Sequence, residues 1–181
     1  MSNDQLGPAI LYLVQLRAAD LGVKIVYKKD SRFWRGWEKF VRAITFGKVP
    51  FTNSNVTTTF NQTIYLSHMY YTYSDIEKAN TLAHELVHTV QFKKMSIVGF
   101  LFVYLFAFFP IGLAYGRYWL ERLAYSQGYL VAMTGLEGQE RADMIEEYSN
   151  QFAYLMSFSG YGWCWPFKKA TKAWMVKQLS N

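Results

Sequence analysis

A chain of 181 residues that is 51% hydrophobic and 19% aromatic has enough apolar surface for one packed core, which excludes a disordered chain. Its net charge of +6 suits anionic lipid, cell-wall polymer, nucleic acid or an acidic protein alike and selects none of them. A single cysteine, Cys164, excludes an internal disulfide framework; between Trp163 and Trp165 it reads as an inert core thiol.

The N-terminus carries Asp4, lacks a basic start and has no clear cleavage site, so no signal peptide is expected. Leu6–Asp20 has helical apolar spacing at Ile10, Leu13, Val14 and Leu16, and Gly22 follows as a stop. Val23–Tyr27 is a short β-branched run and predicts a strand. Arg32–Phe46 mixes basic residues with Phe33, Trp34, Trp37 and Phe40 and predicts an amphipathic helix, closed by Gly47 and Pro50. Val56–Ser67 is rich in Thr, Val, Ile, Tyr and Phe around Asn61-Gln62, which predicts one bent strand or a hairpin. Ser74 and Glu77 form a capping box that starts a helix expected to run through Lys94. Residues 95–116 carry no charge. Helices are expected over 117–132 and 137–156, ahead of an aromatic tail at 161–167 and the lysines 168, 169, 172 and 177. With no repeat, linker or low-complexity tract, the chain reads as a single domain, 1–181. The expected fold class is α+β, mostly helical, with a small β-sheet beside the helix that carries residues 84–88.

Residues 84–88 read His-Glu-Leu-Val-His. Positions i and i+4 project from one face of a helix, so His84 and His88 can share one zinc ion. Glu85 is then placed as general base toward a zinc-activated water. The alternative is a helix with two hydrogen-bonded histidines and a solvated glutamate. Catalytic zinc takes a third protein ligand. Glu121 stands alone among Trp119, Leu120, Leu123 and Tyr125, where a carboxylate needs a partner. Zinc would supply one; pairing with Arg117 or Arg122 is the rival reading. His68 and Asp143 are the next candidates. Tyr118 and Tyr125 flank Glu121 on one helix face, and either phenol could donate to an oxyanion.

HELVH followed by Thr89-Val90-Gln91, with a downstream Glu121-x-x-Ala124-Tyr125 helix, resembles the gluzincin-type zinc metallopeptidases. The likeness is greatest to the small bacterial and phage-associated domains of that group. It covers roughly residues 50–167, including Thr57–Phe60 and Thr63–Leu66, which look like the strand lining the cleft. The resemblance implies a minimal zincin-like core, with His84, His88 and Glu121 as zinc ligands and Glu85 as base. It also implies hydrolysis of a peptide bond in a protein or cell-wall peptide substrate. A non-catalytic zinc domain inside a larger phage or membrane-associated assembly is the competing function. Basic residues are scattered and no nucleic-acid motif is present, so no nucleic-acid partner is expected.

Residues 95–116 complicate this reading. As one helix they would be about 33 Å long, against a bilayer core of about 30 Å, with Lys93-Lys94 and Arg117 at the ends. A single crossing would put His88 and Glu121 on opposite sides of the membrane, where they could not share a metal. The expectation is therefore an apolar helical insertion, buried or dipping into a membrane interface, that turns back at Pro110–Gly112. Such a surface could also face a larger assembly.

Overall fold

The computed structural model describes residues 3–36, 39, 56–106, 115–157, 165 and 167–181. Helix α1 (Asn3–Asp20) ends where Gly22 takes φ 70°, a left-handed value that costs a residue without Cβ nothing. Strand β1 (Lys24–Tyr27) follows, then a 3-10 turn over Lys28–Asp30. Of the helix expected over 32–46, residues 32–36 are helical and the rest lies almost wholly outside the described residues, as do Cys164 and the Pro110–Gly112 break.

Val56–Ser67 forms a hairpin of β2 (Thr58–Phe60) and β3 (Thr63–Leu66). Its turn needs a left-handed residue, and Asn61 supplies it at φ 53°. The sheet has the order β1-β3-β2. β1 runs parallel to β3 with Lys24 opposite Thr63, and β2 runs antiparallel to β3 with Phe60 opposite Thr63. Period-2 alternation buries Ile64 and Leu66 against Ala18 of α1 and against Leu82 and Leu86 of the next helix. Each such apolar side chain contributes roughly 1.5–3 kcal/mol.

Ser74 and Glu77 make the anticipated capping box. The Ser74 N–H donates to Glu77 Oε2 at 2.7 Å, and the Glu77 N–H donates to Ser74 Oγ at 3.4 Å. The helix they open, α2 (Asp75–Phe106), is not straight. Ser96 sits at φ 62°, ψ 166° inside it, and the chain doubles back there. Phe92 and Phe100 stack with centroids 3.8 Å apart, although eight residues of straight helix would separate their Cα atoms by about 12 Å. By length and composition 75–104 is apolar enough to cross a membrane. The reversal instead leaves an arm over 97–106 that is about 15 Å long, half of a bilayer core of about 30 Å.

Helices α3 (Tyr115–Ala132), α4 (Gly138–Ser157) and α5 (Lys168–Ser180) complete the described chain. The structure is thus α+β: mostly helical, with a three-stranded sheet. α5 was not expected from the lysine-rich tail, yet Thr171, Met175 and Leu179 recur at i, i+4 and i+8 and are fully buried. Met175 and Leu179 pack with Phe152 and Met156 of α4, with Tyr118 and Tyr129 of α3 and with Met133 in the turn after it.

α3 packs antiparallel to the first arm of α2, and one residue sets how close they come. A Cβ on Gly128 would lie 3.0 Å from the Asn80 carbonyl oxygen and 3.4 Å from His84 Cβ. Ala124, one turn earlier on the same face, is fully buried. Another turn toward the helix start, that face carries Glu121.

Candidate metal centre

The first arm of α2 presents His84 and His88 one turn apart, with their Nε2 atoms 3.2 Å from each other. Glu121 Oε2 reaches across from α3 to lie 3.4 Å from both. His88, Glu121 and Glu85 are buried, and His84 is slightly exposed. Donors held about 2.05 Å from a tetrahedral zinc stand about 3.3 Å from one another. Two imidazole nitrogens and one carboxylate oxygen are also a zinc-type donor set. The trio therefore fits that ion in spacing and in chemistry. The described residues contain no other such group of three.

The orientation of His88 is fixed from behind. Gln91 donates through Nε2 to the Leu120 carbonyl oxygen at 3.0 Å, which leaves its Oε1 as an acceptor 2.9 Å from His88 Nδ1. The proton on this ring therefore belongs on Nδ1, and Nε2 turns toward His84 and Glu121. Glu121 is held in the same way. The Tyr104 phenol on the returning arm of α2 donates to Oε1 at 3.3 Å, so Oε2 faces the imidazoles. Arg117 lies over the Tyr104 ring at 4.6 Å, and Arg122 lies over Tyr118 and Trp174.

Electrostatics couple the trio. Burial alone disfavours the charged form of His88, but Glu121 beside it reverses the balance and pushes the imidazole up to about 9. Burial opposes the Glu121 charge as well, yet the two imidazoles hold its carboxyl well below the usual carboxylate range. The metal-free trio is thus a buried ion pair with one proton in the place a cation would take.

Glu85 turns toward the edge of the sheet. Thr59 on β2 donates to its Oε2 at 2.6 Å. Gln62 at the hairpin turn donates to the Thr89 carbonyl oxygen and ties the same strand pair to α2. Lys28, only 2% exposed, donates to the Val56 carbonyl oxygen at 2.6 Å and to Thr58 Oγ1 at 2.9 Å. Its burial, partly offset by the charge of Glu85, lowers the ammonium to about 8.

The structure thus brings together His84, His88 and Glu121, three residues singled out in the sequence, and sets Glu85 beside them. It separates the two tyrosines. The Tyr125 ring stands edge-on to His84 with centroids 4.6 Å apart. Tyr118 is buried instead among Phe152 and Trp165, because its helix position turns it toward α4 and α5. His68 is exposed on the 3-10 turn over His68–Thr72, and Asp143 is exposed on α4 as an acceptor for Gln139. Neither joins the trio. Sequence reasoning assigned no individual role to Gln91 or Thr59 and did not single out Tyr104 or Lys28. Gln91 had a signal: at i+3 from His88 it shares that helix face. Compared with protein-family models, with characterised proteins and with solved structures, the chain matches none.

Proposed function

We propose that the chain is a zinc-dependent peptidase in which His84, His88 and Glu121 hold the metal and Glu85 is the general base. The observation that carries this reading is the near-equal spacing of the three donor atoms, 3.2, 3.4 and 3.4 Å. Zinc, when bound, acidifies water and polarises a carbonyl group. Glu85 accepts a proton from the attacking water and returns it to the leaving amine nitrogen. Thr59 occupies Oε2 of that carboxylate, which leaves Oε1 for the proton. Among the described residues strand β2 is at the sheet edge, so its outer backbone groups can pair with an extended peptide beside Glu85. Tyr125, against His84, is the candidate donor to the oxyanion. Within this reading the α+β fold is a minimal zincin-like domain.

The test is metal analysis joined to a cleavage assay on a mixed peptide library and on cell-wall peptides. Wild type should carry one zinc and cut. Glu85→Gln should keep zinc and fold while losing on the order of 10²-fold or more in rate. Cleavage by Glu85→Gln at the native rate would remove Glu85 from its role.

A non-catalytic zinc domain within a larger assembly is the second reading. It draws on apolar surface beside the site: Val98 is 78% exposed and Phe102 is 63% exposed on the returning arm. Full zinc occupancy with no cleavage of any peptide would favour it.

A further inference from the structure

The end of the molecule where α2 reverses carries a feature that the proposed chemistry does not use. Between Glu85 and Glu121 the sequence has no acidic side chain, and its three cations, Lys93, Lys94 and Arg117, bound the uncharged stretch 95–116. In the core helix of a soluble protein such a run would be covered. Here the most apolar 18-residue stretch of 75–104 is only 33% buried. A surface helix ordinarily turns a polar face to water. The returning arm does not. Its inner side is taken up by Phe100 on Phe92 and Leu120 and by Tyr104 on Glu121, while Val98, 78% exposed, and Phe102 stand in water.

The start of α3 lies at the same end. Asn80 faces Gly128, His88 faces Glu121 and Gln91 bonds the Leu120 carbonyl oxygen, so the antiparallel register continues to set Lys93–Met95 against Tyr115–Arg117. Tyr115 and Trp119, one turn apart on one face of α3, are both exposed. So are Lys93, Lys94, Ser96 and Ile97 at the reversal. One end of the molecule therefore holds together an aliphatic tip, two amphipathic rings and two ammonium groups.

Those three classes of side chain sort by depth at a lipid surface. Aliphatic groups enter hydrocarbon, Trp and Tyr rings stay at its boundary, and Lys reaches the headgroups from an apolar stem. A protein partner is held in register by directional polar contacts. Among the described residues this end offers few: Ser96 Oγ accepts from the Gly99 N–H, and the lysines carry their charge on flexible stems. A fluid bilayer requires no register, only apolar depth and opposite charge, and the lack of any carboxylate from 86 to 120 suits an anionic one. We propose that this end docks on an anionic lipid bilayer, with Ile97 and Val98 in the acyl boundary, Tyr115 and Trp119 at headgroup level, and Lys93 and Lys94 on the lipid phosphates. The arm does not cross, since its inner side is held on α3. Five residues of helix, about 7.5 Å, separate His88 from Lys93, so docking keeps the candidate metal centre close to the lipid surface. The inference rests on neither functional reading above, and it gives to lipid the surface that the second reading gives to a protein assembly.

Co-sedimentation of the full chain with vesicles tests this, using phosphatidylcholine alone and an equal mixture of phosphatidylcholine and phosphatidylglycerol. The chain should bind the mixed vesicles, and the neutral ones about tenfold more weakly or less. Lys93→Gln/Lys94→Gln should weaken binding to the mixed vesicles by about tenfold or more. Ile97→Asn/Val98→Asn, which changes no charge, should weaken it by about tenfold as well. Val98→Asn alone, at the most exposed of these positions, should weaken it in the same direction and guards against misfolding of the pair. Leu13→Asn, at an exposed apolar position on α1, should bind as wild type does. Four results overturn the inference: no binding of wild type to the mixed vesicles, equal binding to both kinds, binding untouched by the asparagine variants, or an equal loss in Leu13→Asn. A chain that ignores vesicles, is a dimer by light scattering and becomes monomeric in Val98→Asn assigns this end to a second copy and also overturns it.

Discussion

Tyr104 and Glu121 meet across a chain reversal: the phenol donates to Oε1 at 3.3 Å only because Ser96 turns the second arm of α2 back over the first. A segment that looks like a span by composition thus supplies a polar anchor to the candidate metal centre. Tyr104→Phe removes this donor and keeps the ring beneath Arg117. Zinc affinity should fall by about 10-fold, the lower end of what losing such a supporting hydrogen bond costs. A competition titration against a chelator measures it. An unchanged dissociation constant would mean that Glu121 is positioned by packing alone.

Gln91→Leu should act at His88, a second proposed ligand. The apolar side chain nearly fills the same space but leaves His88 Nδ1 and the Leu120 carbonyl oxygen without a partner. We expect zinc affinity to drop by about 10–100-fold, with stability lower by about 1–3 kcal/mol. Gln91→Glu should retain affinity better, since a carboxylate still accepts from Nδ1. Equal losses in the two variants would argue that the Nδ1 hydrogen bond is not what matters.

Gly128→Ala tests the closeness of the two helices. The added methyl would meet Asn80, including its backbone oxygen at 3.0 Å, so α3 must shift outward. Overpacking of this kind costs about 1–3 kcal/mol, and the same shift moves Glu121 away from the imidazoles. Both the unfolding midpoint and zinc occupancy should fall. Native zinc content at a lowered midpoint would show that the site tolerates the movement.

Protonation gives a prediction of opposite sign with and without metal. In the metal-free protein His88 is raised from 6.5 to about 9. The stability it contributes is complete below about pH 6.5 and is lost as pH rises through about 9, for a total on the order of 3 kcal/mol. Glu121 is depressed, so its share is present above its unfolded value and is lost only in acid. Chelator-treated protein should therefore lose stability between pH 6.5 and 8. Lys28, lowered to about 8, releases its proton in the upper part of that window and offsets part of the loss, so the fall is clearest between pH 6.5 and about 7. A metal ligand must be a neutral imidazole, so with zinc present stability should rise over the same window. Parallel pH profiles in the two states would remove the competition between proton and metal.

Some of this was legible in the sequence and some was not. Ser74 and Glu77 announced a helix start, and their capping bonds form. His84 and His88 were readable because i and i+4 share a face on any helix. Glu121 was readable because a carboxylate amid Leu and Trp must find a partner. The reversal at Ser96 was not, since serine is a weak turn signal beside Pro110 and Gly112, and the left-handed φ is imposed by the packing of Phe92 on Phe100. Lys28 carried no signal in the sequence; its burial depends on Val56 and Thr58, nearly thirty positions away. The parallel register of β1 on β3 leaves no local trace, because it pairs residues such as Lys24 and Thr63 that are far apart in the chain. α5 was missed although Thr171, Met175 and Leu179 carried its period, since the lysines between them masked it.

The placement of the three donors has a kinetic side. His84 and His88 are complete as soon as one turn of α2 forms, an event of about a microsecond or less for an isolated helix. Glu121 arrives only when the chain between them has folded back and α3 has docked, a contact of long sequence separation that closes late. A metal captured early by the histidine pair would favour the helical turn in a chain still largely open, offsetting the unfavourable nucleation of that helix. Zinc would then act on the order of folding events as well as on the finished protein. Refolding begun with the metal present should be faster than refolding to which it is added at the end.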